Sequence, residues 1–146
     1  MNSLIDGAVT LRPPRADDTA VLIEARDNAF RRWLGVGPDN PGPTACIVVG
    51  EQVAGWVDYD HDPDNDWLGD GEVNIGYFVF AEHRGKGYAT QAVELLLRHL
   101  ARNTQYTTAT LLIDPANEAS LAVAGRCGFQ RRDDLRGQRY FTRPIS

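Results

Sequence analysis

At 146 residues the chain is long enough for one domain with its own core and too short for two ordinary ones. With 42% hydrophobic and 24% charged residues it is neither disordered nor fibrous, and no apolar run approaches bilayer-spanning length. A net charge of −5 argues against nucleic-acid binding by counterion release and suits cationic or neutral partners.

The opening Met1–Gly7 has neither a basic n-region nor an apolar h-region, so a cytoplasmic chain with no membrane partner is expected. Cys46 and Cys127 make no disulfide framework and no metal-type cluster. They read as buried free thiols in a reducing compartment, and no metal site is expected.

Val9–Arg12 reads as a first strand, ended by Pro13-Pro14, which cannot donate to a ladder. Asp17 or Asp18 can cap the helix that follows. Its apolar stripe of Val21, Leu22, Ala25 and Ala29 runs out near Leu34-Gly35. Glycine and proline are too dense from Gly35 to Pro43 for regular structure. Ala45–Val49 and Val53–Tyr59 flank Gly50-Glu51-Gln52 as a hairpin, and Asp60–Gly71 is a long acidic loop. Glu72–Phe80 reads as a strand, Tyr88–Arg102 as a helix, Thr107–Ile113 as a strand and Glu118–Arg126 as a short helix. Phe129–Arg132 and Arg139–Pro144 close the chain as strands. Interleaved strands and helices, with hairpins at both ends, predict an α/β fold. The expected form is a mixed central sheet flanked by helices, in a single domain over residues 1–146.

The strand at Glu72–Phe80 is apolar on both faces, which places it inside the sheet. Ala89, Ala92, Val93, Leu96, Leu97 and Leu100 give the next helix an apolar stripe. Between them lies His83-Arg84-Gly85-Lys86-Gly87-Tyr88, which holds Lys86, the chain's one lysine. Two glycines permit a tight turn without side chains in a ligand's way, and a helix start offers N–H groups to phosphate oxygens. A plain strand-to-helix turn is the other reading, and the residues alone leave both open. The Walker pattern fails here, because Gly-Lys is not followed by Ser or Thr. The dinucleotide fingerprint fails at its third glycine, where Thr90 stands.

Arg84-x-x-Gly87-x-Ala89 does fit a pattern: Gln or Arg, two residues, Gly, one residue, then Gly or Ala. In it the segment resembles the GNAT acetyltransferase superfamily. Ile75-Gly76-Tyr77 and Tyr88-Ala89-Thr90 resemble its ribosomal-protein N-acetyltransferase branch. So do Asn117-Glu118-Ala119-Ser120 followed by Gly128-Phe129, and Leu11-Arg12-Pro13 with Asp17-Asp18. The blocks span nearly the whole chain in the family's order.

The resemblance implies acetyl-CoA as co-substrate. By position, Phe78 and Val79 would offer backbone contacts to pantetheine, while Arg84, Gly85, Lys86, Gly87, Tyr88 and Ala89 would wrap the pyrophosphate. Asn117 would hold the pantetheine amide region and Ser120 would lie near the thioester sulfur; as a helix cap and a helix-surface hydroxyl they also have ordinary roles. The implied reaction is acyl transfer to an amine, a protein N-terminus or a small molecule. An amine of reference pKa about 10.4 is mostly ammonium at neutral pH, so a base must deprotonate it. Glu72, on the same face as Asn74, is the first candidate, against an ordinary strand-end carboxylate. The tyrosine that often protonates the departing thiolate falls at Ala124, so Ser120, a water or, more remotely, Tyr140 would substitute.

The aspartates at 58, 60, 62, 64, 66 and 70 do not fit the EF-hand spacing and read as a solvated loop, or as a surface that attracts a cationic amine. Arg131, Arg132, Arg136 and Arg139 read as a solvated face, or as contacts to the 3′-phosphate of CoA. A non-catalytic CoA-binding sensor is the competing function, supported by the missing tyrosine; a nucleotide-binding module is disfavoured by the failed motifs. Monomer and homodimer are both compatible with the sequence.

Overall fold

The computed structural model describes residues 1–62 and 64–146. Among these, the strands are β1 (Leu4–Asp6), β2 (Val9–Arg12), β3 (Ala45–Val49), β4 (Gln52–Asp60), β5 (Glu72–Val79), β6 (Thr108–Ile113), β7 (Gln130–Arg131) and β8 (Arg139–Pro144). The helices are α1 (Asp18–Glu24), α2 (Asn28–Leu34), α3 (Tyr88–Asn103) and α4 (Glu118–Arg126). The sheet order is β1-β2-β3-β4-β5-β6-β8-β7, so β5 is interior, as its two apolar faces require. Pairing of β5 with β6 is parallel, and the β1–β2, β2–β3, β3–β4, β6–β8 and β7–β8 pairs are antiparallel. This is the mixed α/β sheet with helices that the element pattern predicts. No helix among the described residues is long and apolar enough to cross a membrane.

Two compact units are distinguished, Met1–Asp58 with Tyr77–Leu95, and Tyr59–Gly76 with Leu96–Ser146. In the first, β1 to β4 form an antiparallel run whose inward residues Val9, Leu11, Ala45 and Ile47 are wholly buried. Leu22, Phe30, Cys46, Val48, Phe78 and Phe80 make a core cluster, with Trp56 packed against it. A buried charge sits beside this core. Asp18 is 4% exposed, accepts from the Arg12 guanidinium at 2.7 and 3.0 Å and from the Arg15 N–H at 2.6 Å. The Cys46 thiol donates to it at 3.5 Å.

Two expectations need correction here. The chain begins with β1, a strand hairpinned onto β2, where the sequence reading starts at Val9. Ile5 is exposed, so the three-residue strand carries too little periodic signal to be seen. The single helix expected up to Leu34 is two helices. Asp27 leaves helical geometry at φ −117° and ψ −170°, and its side chain accepts from the Phe30 N–H at 2.9 Å, starting α2 afresh. Asp17 stands at the N-cap of α1 without a side-chain cap bond, because it is Asp18 that the structure turns inward.

In the second unit, Val73, Ile75, Ala109, Leu111, Ile113 and Phe141 are buried on alternate strand positions, and α4 contacts β6. Several of the intervening positions are polar. Glu72 pairs with Thr108, Asn74 with Thr110 and Thr110 with Thr142, which puts their side chains on one face.

Candidate active site

The glycine loop belongs to the first unit. A 3₁₀ turn at Ala81–His83 follows β5, and Arg84 is extended at φ −73° and ψ 157°. Gly85 and Gly87 then take φ of 76° and 82°, a left-handed backbone that side chains with a Cβ resist. A Cβ at either glycine would meet nothing within 4 Å. Glycine is therefore required there by conformation, not crowding, and the space beside the loop is open. The first bond of α3 runs from the Gln91 N–H to the Gly87 carbonyl at 3.1 Å, so the N–H groups of Tyr88 and Ala89 precede the helical ladder. The positive end of a 16-residue helix lies behind these N–H groups, the kind of backbone donor set that can receive an anion.

The Arg84 side chain turns away from that site. Its Nε donates to the Val79 carbonyl at 2.9 Å, its Nη1 lies 2.9 Å from an oxygen of Asp27, and its guanidinium carbon stands 5.0 Å over the Phe78 ring. Lys86, also of the loop, is exposed. The Phe78 ring is anchored in turn, edge-on to Phe30 at 5.2 Å and tilted against Trp56 at 6.4 Å. Gly55 of β4 is as tightly constrained: an added Cβ would overlap the Phe78 carbonyl oxygen.

In the second unit, Asn117 accepts from the Ser120 N–H at 3.3 Å and so caps α4. Ser120 is half-buried in the first turn of that helix. Ala124, where the family's tyrosine would fall, is completely buried, and no hydroxyl stands there. Glu72 is half-buried and its carboxylate accepts from the Gly69 N–H at 2.6 Å. On the same face, the Thr110 hydroxyl donates to Asn74 Oδ1 at 3.1 Å. Tyr140 has its phenol pushed above the usual range by burial first and then by the charge of Glu72. Trp67 meets its ring edge-to-face at 5.8 Å. Neither the Trp67–Tyr140 nor the Asn74–Thr110 pairing has a local spacing along the chain to betray it.

The acidic loop uses several of its carboxylates locally. Asp60 accepts from the Asp62 N–H at 3.1 Å, Asp62 from the Asp64 N–H at 2.9 Å, and Asp66 from Arg136 at 2.6 Å. Arg131 and Arg139 both bond Asp134, and Arg132 donates to the Thr142 hydroxyl. All four arginines the sequence raised for a 3′-phosphate are thus already engaged.

A family profile described as the acetyltransferase (GNAT) domain matches residues 40–130, which includes the loop, its flanking strand and helix, and α4. The chain belongs to the GNAT acetyltransferase family. The uncharacterized protein YkkB of Bacillus subtilis (strain 168) is 34% identical over 64 residues, 44% of this chain. The match spans only 37% of that relative's length. Among solved structures, a GNAT-family acetyltransferase from Bacillus anthracis superposes with a TM-score of 0.81 at 14% identity, covering 99% of both chains. RimL, a ribosomal α-N-protein acetyltransferase solved with coenzyme A, gives 0.79 at 19% identity over 97% of both. An aminoglycoside acetyltransferase solved with coenzyme A and kanamycin gives 0.78 at 20% identity, over 93% of this GNAT chain and 94% of that one. At such identities these neighbours share the GNAT fold.

Proposed function

We propose that this GNAT chain is a cytoplasmic N-acetyltransferase that moves the acetyl group of acetyl-CoA directly to an amine, a protein N-terminus or a small-molecule amine. The observation that carries the reading is the Gly85–Gly87 backbone, left-handed at both glycines with open space beside it and a helix start behind it. A pyrophosphate fits such a cradle, held by N–H groups from Gly85 to Ala89 with Lys86 adding charge. The backbone of Phe78 and Val79 would take the pantetheine arm, with Asn117 and Ser120 toward its thioester end. Bound there, acetyl-CoA supplies an activated acyl group.

Glu72 then takes a proton from the acceptor ammonium, directly or through water, a role that typically contributes about a hundred- to ten-thousand-fold. Ser120 is the hydroxyl proposed to protonate the departing sulfur, with Tyr140 as the alternative. Structural neighbours described as acting on a ribosomal protein or solved with kanamycin support an amine acceptor in general. The buried Ala124 favours one competing reading, a CoA-binding sensor without turnover.

Calorimetric titration with coenzyme A, paired with thiol release from acetyl-CoA over a panel of amines, separates these. Turnover with at least one amine is expected, and Glu72→Gln should lower kcat about a hundred-fold or more at unchanged coenzyme A affinity. Binding without turnover by any amine would leave the sensor standing, and no binding at all would remove both.

A further inference from the structure

The Arg84 side chain poses a question that the family pattern does not answer. In that pattern the arginine opens a phosphate-wrapping loop, yet here its guanidinium is spent on three protein partners, all within the first unit. One partner is Asp27. This carboxylate splits its two oxygens between elements: Oδ1 accepts from the Phe30 N–H and begins α2, while Oδ2 faces Arg84 at 2.9 Å. Another is the carbonyl of Val79, the last residue of β5, reached by Nε at 2.9 Å. The Phe78 ring beneath the guanidinium packs edge-on to Phe30 of α2, so the polar and apolar contacts tie the same two elements.

We infer that Asp27 and Arg84 form a latch that fixes the entry to the glycine loop from the side of α2, making Asp27 a positioning residue for acyl-donor binding. The inference rests on the proposed function for its consequence, though not for the latch itself. Gly85 and Gly87 have no Cβ and no side-chain packing of their own, so the conformation of the loop is set by what holds its ends. At its far end is the rigid start of α3. At its near end Arg84 is the residue adjoining Gly85, and its contacts run back to β5 and across to α2. The hydrogen bond from Arg84 holds the Asp27 carboxyl below the ordinary carboxylate range. Both side chains are about one-third exposed, 37% and 32%, so the latch is screened by salt and is of modest strength.

The test uses Asp27→Ser, which keeps an N-cap oxygen for α2 and removes the ion pair, beside Arg84→Gln and the double variant. Amide hydrogen exchange is followed on the peptide covering residues 84–91 without ligand. Each single variant should speed exchange there about two- to five-fold, and the double variant should do no more than either, as expected of groups acting as one unit. In Asp27→Ser the coenzyme A dissociation constant should rise by a similar factor, with kcat at saturating acetyl-CoA unchanged. Loop exchange unaltered in Asp27→Ser overturns the latch. A raised dissociation constant in Arg84→Gln alone overturns it too, because the arginine would then act on the ligand directly. If the wild-type chain bound no coenzyme A, the proposed function would fall while the exchange result still decided the latch.

Discussion

Gly55 gives the sharpest quantitative test of how β4 and β5 meet. Its φ is not left-handed, so replacing it with alanine costs nothing in backbone conformation and would slightly favour folding by restricting the unfolded chain. The cost is steric. The new Cβ would overlap the Phe78 carbonyl oxygen and lie 3.0 Å from Val79 Cα and 3.1 Å from the Phe78 carbonyl carbon. All three are backbone atoms, so no rotamer change relieves the clash, and the two strands must move apart. Overpacking of this kind costs about 1–3 kcal/mol. The adjacent bond from the Phe80 N–H to the Ala54 carbonyl, 2.8 Å long, would be strained for about 1 kcal/mol more. A loss of about 2–4 kcal/mol lowers the melting temperature by roughly 6–12 °C in a chain of this size. Urea denaturation measures it as a fall in midpoint at constant slope. Gly42→Ala is the control, because its Cβ would meet nothing within 4 Å and its φ is unexceptional. If Gly55→Ala stayed within about 0.5 kcal/mol of that control, the close approach of the two strands would be refuted.

Gly87→Ala should lose about 1–2 kcal/mol from its φ of 82° alone and should weaken coenzyme A binding, read by denaturation and calorimetric titration. Asp18→Asn should destabilise by about 3–5 kcal/mol, since it leaves Arg12 without its buried partner. The acid limb of the wild type carries the same information. Arg12 holds Asp18 at about 2, below an unfolded value of about 3.9, so its contribution of about 2 kcal/mol is complete above pH 4. It is lost as the pH falls toward 2, and the acid titration of stability in Asp18→Asn should lack that component. Cys46, pushed up to about 12 by burial and by Asp18, and the buried Cys127 should not react with a chromogenic disulfide at pH 8 until the chain unfolds. A fast-reacting thiol in the folded protein would contradict that burial, and its absence keeps the background of the thiol-release assay low.

The segment from Glu72 to Asn103 is legible in sequence because each part announces itself locally. Alternation marks β5, the 3.6-residue stripe marks α3, and two glycines mark a turn whose φ values only glycine holds cheaply. The bounds of α4 and β8 follow equally from local pattern. Asp27 was invisible for the opposite reason. Nothing in Arg26-Asp27-Asn28 distinguishes a helix break from a helix surface until Phe30 and Arg84 are brought to the carboxylate. Asp18 and Asp17 are adjacent and chemically identical, yet only Asp18 is buried, because only that position faces Arg12 and Cys46.

What the sequence by itself determined, then, is the class of fold, the run of elements from β3 onward and a tight glycine turn between β5 and α3, all properties of neighbours along the chain. What only the tertiary structure decided is where side-chain charge is spent: Arg84 on Asp27 and Val79, and the four late arginines on Asp134, Asp66 and Thr142. The physical reason is that secondary structure is written in short-range periodicity, whereas the partner of a charge is fixed by distances across the fold that no spacing along the chain encodes.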